Sequence, residues 1–336
     1  MDSLTHVVLG ACTGQLLAGR QLGKKALLIG AIANSFPDID FVASFFMPLT
    51  SDLLAHRGFT HSILFVLLAS PLLAWGSGRL PGRTNMSQQR WTVFWLVQMF
   101  LHILLDAFNA YGTGWFEPFS HYRVSFNSMY VADPLFSVWL AVAAAVLSVV
   151  GSHKAGRNRW AATAIGISVT YLLWGLVAKH EADCVAKTAL QQKGIAAKQY
   201  FSTPTPLNNL LWYVVARTDS GFYIGYRSVL DHGSDMHFRY RPQNSHLLPQ
   251  ATHQTDVANL VRFSQGFYTV DQWNDTLIFN DLRFGEQLGW ADSTPKCVFY
   301  YYLQQPTAND LIVQRGRFAR WNANALRTFV HRIGGI

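Results

Sequence analysis

The sequence predicts an α-helical multi-pass membrane domain of about six helical segments, followed by a mainly β soluble domain. Three observations predict it. Half of the 336 residues are hydrophobic and only 14% are charged. That balance belongs to membrane proteins rather than to disordered chains. Apolar runs recur through the first 180 residues, separated by short polar loops. After about residue 200 the runs become short, aromatic and β-branched, as strands require. The expected divisions are 1–180 for the helical membrane domain, 181–199 for a connecting helix and 200–336 for the β domain.

The first two segments, 4–19 and 24–36, are rich in Gly and Ala. Each is shorter than the ~20 residues of a normal span. A tight helical hairpin is expected, because small residues allow close approach. Pro37 is expected to stop the second segment. Four more segments follow at 61–76, 91–110, 133–150 and 160–178, and the sixth runs on into the polar stretch "AKHEADCVAKTALQQKG". Asp133, before Pro134, reads as a helix cap. "NLLWYVVARTDSGFYIGYRSVL" reads as two strands around the turn Thr218–Gly221. "GFYTVDQWNDTLIFNDLRF" and "KCVFYYYLQQ" are further β-like runs. From 200 to 336 there are 12 basic and 10 acidic residues, so this part is nearly neutral.

The net charge of +8 forms no basic block, and no nucleic-acid motif accompanies it. The excess is instead a topology signal. Arg20, Lys24 and Lys25 lie between segments one and two; Arg79, Arg83 and Arg90 between three and four; Lys154, Arg157 and Arg159, beside His153, between five and six. Basic loops stay in the cytoplasm. The N-terminus, the 37–60 and 111–132 loops and the chain after 180 are then expected outside, with the β domain periplasmic. "MDSLTHVVLG" has no basic n-region and reads as a retained helix rather than a cleaved signal. Cys12, Cys184 and Cys297 have no CxxC spacing. They are no zinc or redox motif, although an outer Cys184 and Cys297 are available to pair in an oxidising compartment.

On that topology the polar residues fall on one side. His6 starts segment one, and Asp38 and Asp40 end segment two. His56 and His61 start segment three, in "HRGFTHS", and His102 and Asp106 occupy the outer half of segment four. His102 and Asp106 are i and i+4 and share a helix face. Asp38 and Asp40 are expected on an extended turn after Pro37. Taken singly, His6 reads as an interfacial histidine, "PDID" as a loop with an Asx turn, and His102 with Asp106 as a buried hydrogen-bonded pair. Taken together they point to a metal centre of His6, Asp38, Asp40, His56, His61, His102 and Asp106. Imidazole with carboxylate suits Zn2+, or else Mn2+ or Fe. Seven candidates suggest two or more ions. Arg57 and Arg123 read either as headgroup anchors or as binders of a substrate phosphate. His121, His180 and Glu181 are further possible ligands on the same side.

The motifs "MDSLTHVVLGACTG", "FPDID", "HRGFTHS", "HILLDAFNAYGTGWFEPFS" and "YVADP" resemble the YdjM/YbcI-type inner-membrane, metal-dependent hydrolases of bacteria. The resemblance covers roughly residues 1–180. Its wider likeness is to the zinc phospholipase C and single-strand nuclease superfamily, whose HxxxD pair His102 and Asp106 match. Its HxxxE pair and amino-terminal amine ligand have no clear counterpart in the sequence. The resemblance implies a bacterial inner-membrane enzyme.

The expected function is a metal-dependent hydrolase of a phosphoester in a membrane lipid or lipid-linked substrate, with Asp38 or Asp40 as general base. One alternative is a lipid deacylase or amidase. Another is a non-enzymatic metal-binding scaffold whose β domain recruits a protein partner.

Overall fold

The computed structural model describes residues 1–79, 86–152, 156–305, 309 and 320–336. Arg83, His153 and Lys154 of the charge reading lie outside the described residues. The chain divides into two units. The first comprises Met1–Phe46, Ala55–Gly175 and Pro206–Asn208; the second comprises Met47–Leu54, Leu176–Thr205 and Asn209–Ile336.

In the first unit, helix α1 spans Ser3–Leu22 and is capped by the Asp2 side chain accepting from Thr5 N–H. Helix α2 (Lys25–Ser35) returns against it as a close antiparallel hairpin. A Cβ on Gly14 would stand 2.3 Å from Ala26 O, and one on Gly30 would stand 2.1 Å from Gly10 O. Only glycine permits that approach.

Pro37 does not end the helical path. A 3₁₀ helix continues over Phe36–Phe45, with Pro37 in its first turn, where no N–H partner is lost. The extended turn expected for Asp38 and Asp40 is therefore a narrower helix. A short helix, α3 (Leu49–Ala55), follows. Helix α4 (Ile63–Ser77) is capped by Ser62 and α5 (Gln88–Asp106) by Ser87. Asp133 caps α6 (Pro134–Val149), its side chain accepting from Leu135 N–H, as its place before proline suggested.

Buried amides join three of these helices. Gln98 Oε1 accepts from Thr13 at 2.9 Å, and Asn34 Nδ2 donates to the Gln98 carbonyl at 2.8 Å. Such bonds fix α1, α2 and α5 where apolar packing alone leaves rotation free.

Six spans are not supported. Among the described residues two stretches are long and apolar enough to cross a membrane, Lys25–Phe45 and Arg157–Gln192. A third arises if Leu49–His61 and Ile63–Ser77, bent by 59°, form one span. Helix α6 has 16 residues, about 24 Å against a core of ~30 Å. Helices α1 and α5 have the length, but they bury Thr5, His6, Thr13 and Gln15, and Gln98, His102 and Asp106. The polar residues that build a site make the helix less apolar.

Helix α7 runs unbroken over Arg157–Gln192. In the second unit its Ala178, Ala182, Ala186 and Ala189 pack on Trp212, Val214 and Met236. One antiparallel sheet has the order β1 (Gln199–Pro204), β2 (Leu211–Arg217), β3 (Gly221–Ser228) and β4 (Phe238–Pro242). The second contains β5 (Tyr268–Trp273), β6 (Thr276–Glu286) and β7 (Cys297–Tyr302). Helix α8 (Gln254–Phe263) holds the Met47–Leu54 segment: Thr50 Oγ1 donates to Asp256 Oδ1 at 2.5 Å. Helix α9 (Ala323–Ile333) closes the described chain.

All three cysteines are free. Cys184 and Cys297 do not pair: Cys184 is exposed, whereas Cys297 is buried with its Sγ 3.0 Å from Arg241 Nη1. Burial pushes the Cys297 thiol up to about 12.

Candidate metal centre

Four elements of the first unit deliver the polar residues to one place. Helix α5 presents His102 and Asp106 on one face, one turn apart, both wholly buried. Helix α1 lays His6 against them: the His6 and His102 rings stack at 3.7 Å, and His6 Nε2 lies 3.2 Å from Asp106 Oδ1. A short 3₁₀ turn, Phe59–His61, brings in His61. The Phe36–Phe45 helix brings in Asp38 and Asp40.

The centre of the group is a convergence of ligand atoms. His61 Nε2 and His102 Nε2 are 3.1 Å apart. Asp38 Oδ1 lies 3.5 Å from the first and 3.4 Å from the second. Asp106 Oδ2 lies 3.4 Å and 3.6 Å from the same two nitrogens. One ligand atom from each of Asp38, His61, His102 and Asp106 falls within 4.8 Å of all the others.

This donor set fits a cation. Two imidazole nitrogens facing each other cannot both be protonated, and a positive charge between them would satisfy both. Asp106 Oδ2 is buried and accepts no hydrogen bond. Two nitrogens and two carboxylate oxygens suit Zn2+, with Mn2+ and Fe also compatible. Among the described residues this is one four-residue group, so the expectation of two or more ions narrows to a single group.

Asp38 and Asp40 have different tasks, and helix geometry separates them. A 3₁₀ helix has three residues per turn, so residues two apart point about 120° away from each other. Asp38 faces the Nε2 side of His61. Asp40 Oδ2 lies 3.4 Å from His61 Nδ1, the other nitrogen of the same ring. A carboxylate behind a metal-facing imidazole fixes its tautomer and orientation. Asp40 also accepts from Arg57 N–H at 2.8 Å and meets His56 Nδ1 at 3.2 Å. His56 therefore joins through Asp40, outside the four-residue group, and its side chain is 41% exposed.

Arg57 is not a headgroup anchor. It is buried, with Nε 3.2 Å from Asp106 Oδ2 and Nη1 donating to Asn109 Oδ1 at 2.8 Å. Its backbone takes φ +58°, a conformation costing about 1–3 kcal/mol for a residue with a Cβ. That turn points the Arg57 N–H at Asp40 and its side chain at Asp106. Arg123, half-buried, donates from Nη2 to the His56 carbonyl at 3.0 Å.

His121 pairs with Glu117 at 2.8 Å and is not in the group. His180 lies 3.7 Å from Cys184, one turn along the same helix, in the second unit with Glu181. Three participants were not picked out from sequence. The Met1 α-amine contacts Asp106, Asn109 holds Arg57, and Thr60 Oγ1 lies 3.0 Å from His61 Nδ1. Asn and Thr are too common in loops to stand out. The amine has no residue-type signal.

The first unit is thus a helical membrane domain built around a buried His/Asp cluster. That class has a family: residues 1–182 match the YdjM inner membrane protein family. The chain belongs to that family. It is 27% identical over 300 residues to the uncharacterized protein YfhP of Bacillus subtilis, covering 84% of this chain and 87% of that one. It is 32% identical over 122 residues to the inner membrane protein YbcI of Escherichia coli, covering 36% of this chain and 69% of that one. No solved structure matches.

Proposed function

We propose that this protein is a membrane-embedded, metal-dependent hydrolase of a phosphoester in a lipid or lipid-linked substrate, acting at the outer face of the bacterial inner membrane. The observation that carries the proposal is the convergence of Asp38, His61, His102 and Asp106 on one point, with an exposed imidazole, His56, one carboxylate away. Those four residues would hold the ion. A bound Zn2+ supplies a Lewis acid and lowers the pKa of a coordinated water to ~7.

The protein's own groups divide the remaining work. Asp40 orients His61 on one side and His56 on the other. That commitment makes Asp40 a positioning carboxylate and leaves His56 as the group placed to carry a proton. Asp38 is the ligand with an accessible side chain, at 26% exposed, while His61, His102 and Asp106 are wholly buried. Arg57 balances the acidic cluster through Asp106. Arg123, beside His56, is placed to meet an anionic group.

The test uses purified full-length protein. Its metal content is measured, and it is then incubated with total lipid extract and the products read by mass spectrometry. Release of a phosphorylated headgroup supports the proposal. Release of fatty acid would replace it with the deacylase reading, and bound metal without any product would favour the scaffold reading.

A further inference from the structure

The accessible ligand sits on a helix that also carries an apolar, exposed face. With three residues per turn, the Phe36–Phe45 helix has three straight faces. One carries Asp40 and Ala43 and faces inward at Asp40. One carries Asp38 and, a turn further on, the exposed Phe41. The third carries Ile39, Val42 and Phe45, all exposed, Phe45 at 73%. This helix is the end of the 21-residue apolar stretch Lys25–Phe45.

A second exposed aromatic group borders the ligand loop. The 112–120 segment is stitched to "HRGFTHS" by Gly114 N–H donating to Arg57 O at 2.9 Å, and to the start of α4 by Ile63 N–H donating to Trp115 O at 3.0 Å. It carries Phe116 and Phe119, the latter 82% exposed, and Phe59 is exposed on the turn it is stitched to. Exposed apolar patches of this kind mark an interaction surface. Aromatic residues at the end of a span mark the headgroup level of a bilayer. His56, His121 and Tyr122 lie among them, exposed and polar, as an interface with one wet side requires.

We propose that the metal centre opens into the lipid leaflet along the Asp38–Phe41 face, and that the substrate is a bilayer lipid drawn sideways from the membrane. Its headgroup reaches Asp38, and the exposed Ile39, Val42 and Phe45 side chains lie against the leaflet. The occupant is fixed by continuity: this stripe is the end of a stretch that is long and apolar enough to cross a membrane. The proposal rests on the hydrolase reading for the word substrate, but not for the position of the surface.

Two measurements test it in full-length protein in nanodiscs of phosphatidylethanolamine and phosphatidylglycerol. The first places nitroxide labels through Val42→Cys, Phe119→Cys and Asp219→Cys in a Cys184→Ser background, since Cys12 and Cys297 are buried. Asp219 lies in an exposed polar turn. The ratio of oxygen to nickel-chelate accessibility is expected to be several-fold higher at 42 and 119 than at 219. Equal or lower ratios would overturn the lipid contact, whatever the activity. The second compares Val42→Arg with wild type on a bilayer phospholipid and on a water-soluble short-chain phosphodiester. Selective loss of turnover on the bilayer lipid, with the soluble ester unaffected, is expected. Parallel loss on both would overturn the sideways entry.

Discussion

His61 Nε2 and His102 Nε2 face each other across 3.1 Å inside a wholly buried cluster. One comes from a 3₁₀ turn and the other from a long helix, 41 residues apart. Two neutral acceptors or two protonated donors would repel at that distance; either one ring donates to the other, or a shared cation satisfies both together with Asp38 and Asp106.

Metal content follows from this pairing. His61→Ala and His102→Ala should each lower metal bound by the purified full-length protein at least tenfold at limiting metal, because each removes one of few ligands. His237, exposed in the second unit, is the control: His237→Ala should keep wild-type metal. Elemental analysis after dialysis reads the result. Wild-type metal in both variants would dismiss the centre.

His56→Ala should separate holding from chemistry. Its contact is with Asp40, and its side chain is partly exposed. The variant should keep its metal and lose most hydrolysis. A loss of metal equal to that of His61→Ala would place His56 among the ligands instead.

Asp40→Asn should behave between these two. The amide oxygen can still accept from Arg57 N–H, but the charge behind His61 Nδ1 is gone. Removing such a supporting carboxylate lowers metal affinity by about 10- to 100-fold. Competition with a chelator of known affinity measures the difference. Unchanged affinity would make Asp40 irrelevant to the ion.

Gly30→Ala should damage the α1–α2 hairpin. The new Cβ would meet Gly10 O at 2.1 Å, backbone that has no room to retreat. Overpacking of this kind costs about 1–3 kcal/mol, occasionally more. Thermal unfolding in detergent should show a lower midpoint than wild type. Gly76→Ala, where a Cβ meets nothing within 4 Å, is the matched control.

The second unit carries a pH-dependent anchor for α9. Arg332 Nη1 and Nη2 contact Asp231 at 2.7 and 2.8 Å. Burial raises the Asp231 carboxyl, but Arg332 and the N–H groups of Ser228 and Ile336 outweigh it and hold it below the usual range. A depressed carboxyl stabilises the fold fully above its unfolded pKa of about 3.9 and loses that contribution as pH falls through the lower folded value. Asp231→Asn should therefore be less stable than wild type at neutral pH. The gap in unfolding midpoint should close on acidification below that range.

The sequence by itself determined the helical first half, the strands after residue 200 and the membership of His6, Asp38, His61, His102 and Asp106 in one polar group. These follow from apolar runs, turn residues, the basic loops that set the polar residues on one side, and the i, i+4 spacing of His102 and Asp106. Tertiary structure alone decided what each residue does within the group. Asp38 and Asp40 look equivalent as text, and a 3₁₀ helix in place of an extended turn sends them to opposite nitrogens of one ring. Arg57 reads as a headgroup anchor or a phosphate binder until a left-handed backbone turn buries it on Asp106. The number of spans failed for a related reason: hydropathy counts side chains one by one, whereas a helix that buries His6 or His102 inside its own domain is not bound to face lipid along its whole length. Roles and exposure are set by contacts between distant segments, and no local pattern carries those.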